Sequence, residues 1–210
     1  MKNKKGFTLA EILVVMAIIG VLSVILIPTL FRSKPNQEMI MLKKTYYLIG
    51  RAVVELINDD DFYPDPGDNT KDGFANTVLV NYHGKEYGGD DATKANAKFC
   101  NLFATRMNLA SDVNCTENRS LDDGSFTTTD GVIWLIPMTN FNRGKAAGTD
   151  VNITTKISVD VNGTKGPNCK PTASNCSAPD RFDIKIDRYG KITVDDDKTR
   201  EYLSSSDITK

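Results

Sequence analysis

Residue types that could do chemistry are few and scattered in this chain of 210 residues. His83 is the single histidine and stands beside Gly84 in a turn-rich stretch, so a Ser-His-Asp or Cys-His arrangement would hang on one unsupported residue. Asp122-Asp123 and Asp195-Asp196-Asp197 set carboxylates side by side, as acid–base work requires, but in polar segments such runs read as solvated loop charge. No G-x-S-x-G, H-E-x-x-H, phosphate-loop or dinucleotide pattern occurs. Cys100, Cys115, Cys169 and Cys176 lack the CxxC or His-Cys spacing of a metal site. An even set of this kind reads as two disulfides, and therefore as a head in an oxidising compartment. The connectivity stays open, with closeness in sequence favouring Cys100–Cys115 and Cys169–Cys176. Asn114 and Asn118 fit the glycosylation pattern, which short polar loops produce by chance, and Trp134 sits mid-strand as a core residue.

The acid in the least favourable setting is Glu11. Lys2, Lys4 and Lys5 precede Gly6, then comes Phe7-Thr8-Leu9-Ala10-Glu11, then an uncharged run from Ile12 to Phe31. At about 1.5 Å per helical residue that run reaches roughly 30 Å, the hydrocarbon thickness of a bilayer. A carboxylate near mid-bilayer costs about 2.5–3.5 kcal/mol, so Glu11 needs a cationic partner or a first-turn position where the helix dipole favours an anion. An ordinary secretory signal peptide fits poorly, because the apolar run is too long and no small-x-small site precedes Arg32.

Lys5-Gly6-Phe7-Thr8-Leu9-Ala10-Glu11 followed by this run resembles the class III signal of the type IV pilin and type II secretion pseudopilin family. That signal combines a basic leader, a glycine before the cut, an aromatic after it, a glutamate five residues into the processed chain, and a helix with no further charge. The resemblance implies that a prepilin peptidase cuts between Gly6 and Phe7 and that the new Phe7 amine is N-methylated. It implies that Glu11 pairs with the Phe7 amine of a neighbouring subunit, since either charge alone is costly in an apolar core. Gly20 and Pro28 fall where the family bounds a stretch that loses helicity when subunits pack. Asp160-Val161-Asn162-Gly163-Thr164-Lys165-Gly166-Pro167-Asn168 is similar to a loop of pseudopilin heads. The resemblance implies a calcium site there with Asp160 and Asn162 as oxygen donors, although Asn-Gly turn chemistry alone accounts for part of the run. Residues 63–125 carry no resemblance, and no other cofactor is expected.

These residues need elements to hold them. Met39, Leu42, Tyr46, Ile49, Val53 and Leu56 recur at steps of three and four, which predicts an amphipathic helix after a kink at Pro35, ended by Asn58-Asp59-Asp60-Asp61. A short strand is expected within 77–82 and a helix from an Asp91 cap to about Leu109. Alternating residues over 126–128, 132–136, 156–161, 181–186 and 191–194 predict an antiparallel sheet whose dry face covers the helix. The expected fold is α+β and pilin-like: a long N-terminal helix, membrane-spanning in its first half, packed on a C-terminal antiparallel sheet. The expected divisions are a leader at 1–6, a transmembrane and assembly helix at 7–31, its amphipathic continuation at 32–61 and a head at 62–210.

Charge is balanced at 26 basic against 27 acidic residues, and removing the leader lysines leaves 23 against 27. No basic stripe for nucleic acid is apparent. The leader lysines hold the N-terminus in the cytoplasm, with the head exported. The expectation is a non-enzymatic structural subunit of a type IV pilus or type II secretion pseudopilus. It would sit in the inner membrane and then in a periplasmic or extracellular filament, with copies of itself, the prepilin peptidase and the assembly machinery as partners. The alternatives are a minor or tip pilin, or a membrane-anchored adhesive or binding module.

Overall fold

The structure, a computed structural model, describes residues 8–31, 36–65, 67, 72–139, 141 and 154–206, with the side chains of 25–31 left outside that description. Gly6, Phe7 and the Pro35 kink therefore lie outside the described residues. The chain forms two compact units, residues 1–36 with 207–210, and residues 37–206.

The first unit contains helix α1, Leu9–Phe31, of 23 residues. Its apolar residues point in every direction, and Leu9, Ile12, Leu13, Val14, Val15, Met16, Ile18, Ile19, Val21, Leu22 and Val24 are all exposed. Among the described residues no helix is long and apolar enough to cross a membrane. The described side chains of α1 stop at Val24, short of the predicted span's end at Phe31.

The second unit opens with α2, Gln37–Ile57, which buries Met39, Leu42, Thr45, Ile49, Ala52, Val53 and Leu56 on one face. A 3₁₀ turn at Gly73–Ala75 leads to a hairpin of β1, Val80–Tyr82, and β2, Lys85–Tyr87. Helix α3, Ala92–Ala104, starts at the expected cap, where Asp91 accepts from the Thr93 and Lys94 amides. It stops short of Leu109, because Leu109 bridges to Thr128 and the Ala110 amide donates to Thr127 O, drawing the chain alongside the sheet. Five strands follow: β3, Phe126–Thr127; β4, Ile133–Leu135; β5, Thr154–Asp160; β6, Arg181–Asp187; and β7, Ile192–Thr193. They pair antiparallel in sequence order. Helix α4, Asp197–Ser204, closes the unit. The unit is α+β, with a helix at its N-terminal end and an antiparallel sheet toward its C-terminal end, as the sequence predicts.

Register sorts the faces of the sheet. Ile157 lies opposite Ile184 and Val159 opposite Phe182, while Lys156 faces Lys185 and Ser158 faces Asp183 on the other side. The apolar side joins Leu42, Ile49, Val53 and Leu56 of α2 and Phe99, Leu102 and Phe103 of α3 in one core around Trp134. Trp134 is wholly buried, and its indole nitrogen donates to Thr128 Oγ1 at 3.1 Å. At Gly73 (φ +53°) a Cβ would lie 2.1 Å from Arg188 O, so only glycine lets the Phe74 amide reach that carbonyl at 2.8 Å.

Candidate functional site

Of the residues singled out at the N-terminus, Glu11 lies in the first turn of α1, where it meets Thr8. Thr8 Oγ1 accepts from the Glu11 amide at 3.3 Å, and Glu11 Oε2 accepts from the Thr8 amide at 2.7 Å and from the Thr8 hydroxyl at 2.9 Å. This is a capping box, Thr-x-x-Glu, in which cap and third residue satisfy each other's backbone donors. Thr8, quoted above only as part of the signal, is thus also the helix cap, a role its three-residue spacing from Glu11 marks in the sequence. Among the described residues Glu11 Oε1 takes no hydrogen bond, so the carboxylate keeps one oxygen for a further donor. Gly20 lies mid-helix, where an added Cβ would meet nothing within 4 Å. Among the described residues no packing requires glycine there. Pro28 lies in α1 with its side chain outside the described residues. Gly6 and Phe7, the expected cleavage and methylation residues, have no described position.

The cysteines form two bonds, Cys100–Cys115 and Cys169–Cys176. The first ties α3 to the loop before β3. The second closes part of the long connection between β5 and β6, which begins at the calcium candidates. Asp160 is fully buried, and Arg181 Nε donates to its Oδ2 at 2.8 Å. Burial pushes the Asp160 carboxyl above its ordinary value in spite of that guanidinium. Asp160 Oδ1 and Asn162 Oδ1 are buried without a hydrogen-bond partner of good geometry, which is what a hard cation would use. The Arg181 charge on the same carboxylate opposes a cation. Among the described residues no three His, Cys, Asp or Glu side chains gather to hold a metal. Asp180, also buried, instead accepts from the Asn168 and Cys169 amides at 2.8 Å each and fixes the loop's return.

The remaining candidates are structural. His83 (φ 51°) and Gly84 (φ 76°) form the two-residue turn between β1 and β2, both left-handed as a type I′ turn demands. Asp122 pairs with Arg181. The triple acid is no plain loop: Asp195 pairs with Lys185, Asp196 caps α4 by accepting from the Thr199 amide at 2.8 Å, and Asp197 sits in its first turn beside Arg200. Lys98, which the sequence left unremarked, is 2% exposed. Its ammonium donates to Asn76 O at 3.1 Å and Val78 O at 2.9 Å over the Tyr63 ring, and burial lowers its pKa to about 8.

No curated protein and no solved structure matches this chain. Residues 1–27 match the family model for the prokaryotic N-terminal methylation motif. The first 27 residues, which hold Gly6, Phe7, Thr8, Glu11 and Gly20, are therefore the type IV pilin and pseudopilin signal.

Proposed function

We propose that this chain is a structural subunit of a type IV pilus or type II secretion pseudopilus and performs no catalysis. A prepilin peptidase cuts it between Gly6 and Phe7 and the Phe7 amine is methylated. Before assembly the segment 7–31 spans the inner membrane with the N-terminus cytoplasmic and the head exported. In the filament α1 packs against α1 of other copies, Glu11 pairs with a neighbour's Phe7 amine, and Gly20 and Pro28 let the helix yield. The observation that carries this reading is α1 itself: apolar all round, exposed along its described side chains, with one carboxylate in its first turn. A helix of that composition is stable in lipid or under other helices, and water suits it poorly. Co-expression with a prepilin peptidase tests it by mass spectrometry. The expected product begins at N-methylated Phe7, and a chain retaining Met1 would point to an anchored module instead.

A calcium ion at Asp160 and Asn162 is a second proposal, favoured by their two unpartnered buried oxygens. The full chain in detergent should melt higher in millimolar calcium than in chelator, and an unchanged melting temperature would remove the ion from the account.

A further inference from the structure

On the outer face of the sheet lies a cleft of about 530 Å³, on the side opposite the core. Leu121, Leu135, Pro137 and Met138 give it an apolar wall, and Arg119, Lys156 and Lys170 bring three cations to it. Most ion-paired cations elsewhere in this unit have a carboxylate to themselves: Lys44 with Asp130, Arg51 with Glu55, Lys94 with Glu86, Arg106 with Asp59, Lys185 with Asp195. The cleft is different. Lys170 donates to Asp183 Oδ2 at 2.7 Å and Lys156 approaches the same oxygen at 3.3 Å, so two ammonium groups share one carboxylate. Ser158 donates to Asp183 Oδ1 at 2.6 Å, leaving that acid little room to serve more. The Arg119 guanidinium is bound by the Gly124 and Asp123 carbonyls, which orient it without neutralising it. With Glu117 as the only acid in the lining, the cleft keeps a net positive charge in a chain that is slightly acidic overall.

We propose that this cleft binds an organic carboxylate, its oxygens on Lys156, Lys170 and Arg119 and its carbon skeleton against Leu135, Pro137 and Met138. The arrangement suits an oxyanion, because guanidinium and ammonium donors line the cleft beside an apolar wall, and clefts of this size take small ligands. The Lys156 and Lys170 side chains are 51% and 40% exposed, so both ammonium groups are open to an entering carboxylate. The carboxylate arrives either on a free diacid or on an acidic side chain of a polypeptide.

The test uses the full chain in detergent micelles at fixed ionic strength, following the Met138 methyl signal by NMR during titration with succinate, with succinamide, and with N-acetyl-glutamyl-leucinamide. Succinate or the peptide should shift the signal saturably and succinamide should not. Tighter binding of the peptide assigns the site to polypeptide acids, and tighter binding of succinate assigns it to free diacids. Lys156→Gln should weaken binding at least about fivefold, a loss of roughly 1 kcal/mol. Asp183→Asn should tighten it by a similar factor, because the competing carboxylate is gone. No saturable shift with either acid, an equal response to succinamide, or weaker or unchanged binding in Asp183→Asn would each overturn the proposal.

Discussion

Helices α1 and α2 are nearly the same length, 23 and 21 residues, and are built on opposite plans. α2 confines its large apolar side chains mostly to one stripe and buries that stripe within its own unit. α1 spreads them over its whole circumference, and its described side chains from Thr8 to Val24 are exposed except for half-buried Ser23. The difference separates what a helix does for its own chain from what it offers to something else. α2 is consumed by folding. None of the described side chains of α1 is buried, which fits the proposed role of this helix in lipid and against other copies.

That contrast can be broken by substitutions that respect or violate it. Trp134→Ala should be the most damaging change to the head, costing about 3–5 kcal/mol, because it empties the centre of the core and leaves Thr128 without its indole partner. Calorimetry of the full chain in detergent should show the head's transition lowered sharply or lost. Ile18→Ala in α1 should leave the same transition in place, since that side chain is exposed. A comparable loss would mean that α1 is part of the folding unit after all. Removing Cys100–Cys115 should cost about 3 kcal/mol and removing the shorter Cys169–Cys176 loop about 2.5 kcal/mol, from the lost constraint on the unfolded chain. Denaturant melts of the serine pairs would show the order.

Lys98 gives a pH signature confined to the head. Folding buries its ammonium and lowers its pKa from 10.5 to about 8, so the unfolded chain holds more protons between those values. Head stability should therefore carry a contribution that is flat below pH 8, rises from about 8 to 10.5 and levels off above. Lys98→Met should abolish that rise and cost about 1–3 kcal/mol at neutral pH by leaving the Asn76 and Val78 carbonyls without their donor. The smallest effect should come from Arg51→Ala. Its pairing with Glu55 lies on the exposed side of α2, where water screens it, so a thermal melt should barely move.

Much of this was legible in residue spacing. The buried stripe of α2 follows from its three-and-four periodicity, and alternation along β5 and β6 marked the dry face. What escaped notice had physical causes. α3 ends early because residues beyond it pair with the sheet, a tertiary contact that no local propensity reports. β2 was hidden because Lys85-Glu86-Tyr87 has weak strand character alone and is held by a turn whose left-handed residues include a histidine. α4 is hard to read from sequence because Asp195-Asp196-Asp197 looks like loop charge, whereas Asp196 is a helix cap and Tyr202 and Leu203 pack on the core. At the N-terminus Glu11 reads as a stranded acid in an apolar run, and its partnership with Thr8 shows only when the Thr-x-x-Glu spacing is read as a helix cap. Arg181, joining Asp160 to Asp122, was beyond reach because its partners come from distant parts of the chain.

The central claim is that Glu11, beyond capping its own helix, serves a neighbour, and one measurement addresses it most directly: filament yield per processed subunit for Glu11→Ala, in cells carrying the peptidase and assembly machinery. The account predicts normal amounts of chain starting at methylated Phe7 and severely reduced filaments, because each added copy lacks the carboxylate that the neighbour's Phe7 amine needs. Filaments at the unsubstituted level would contradict it.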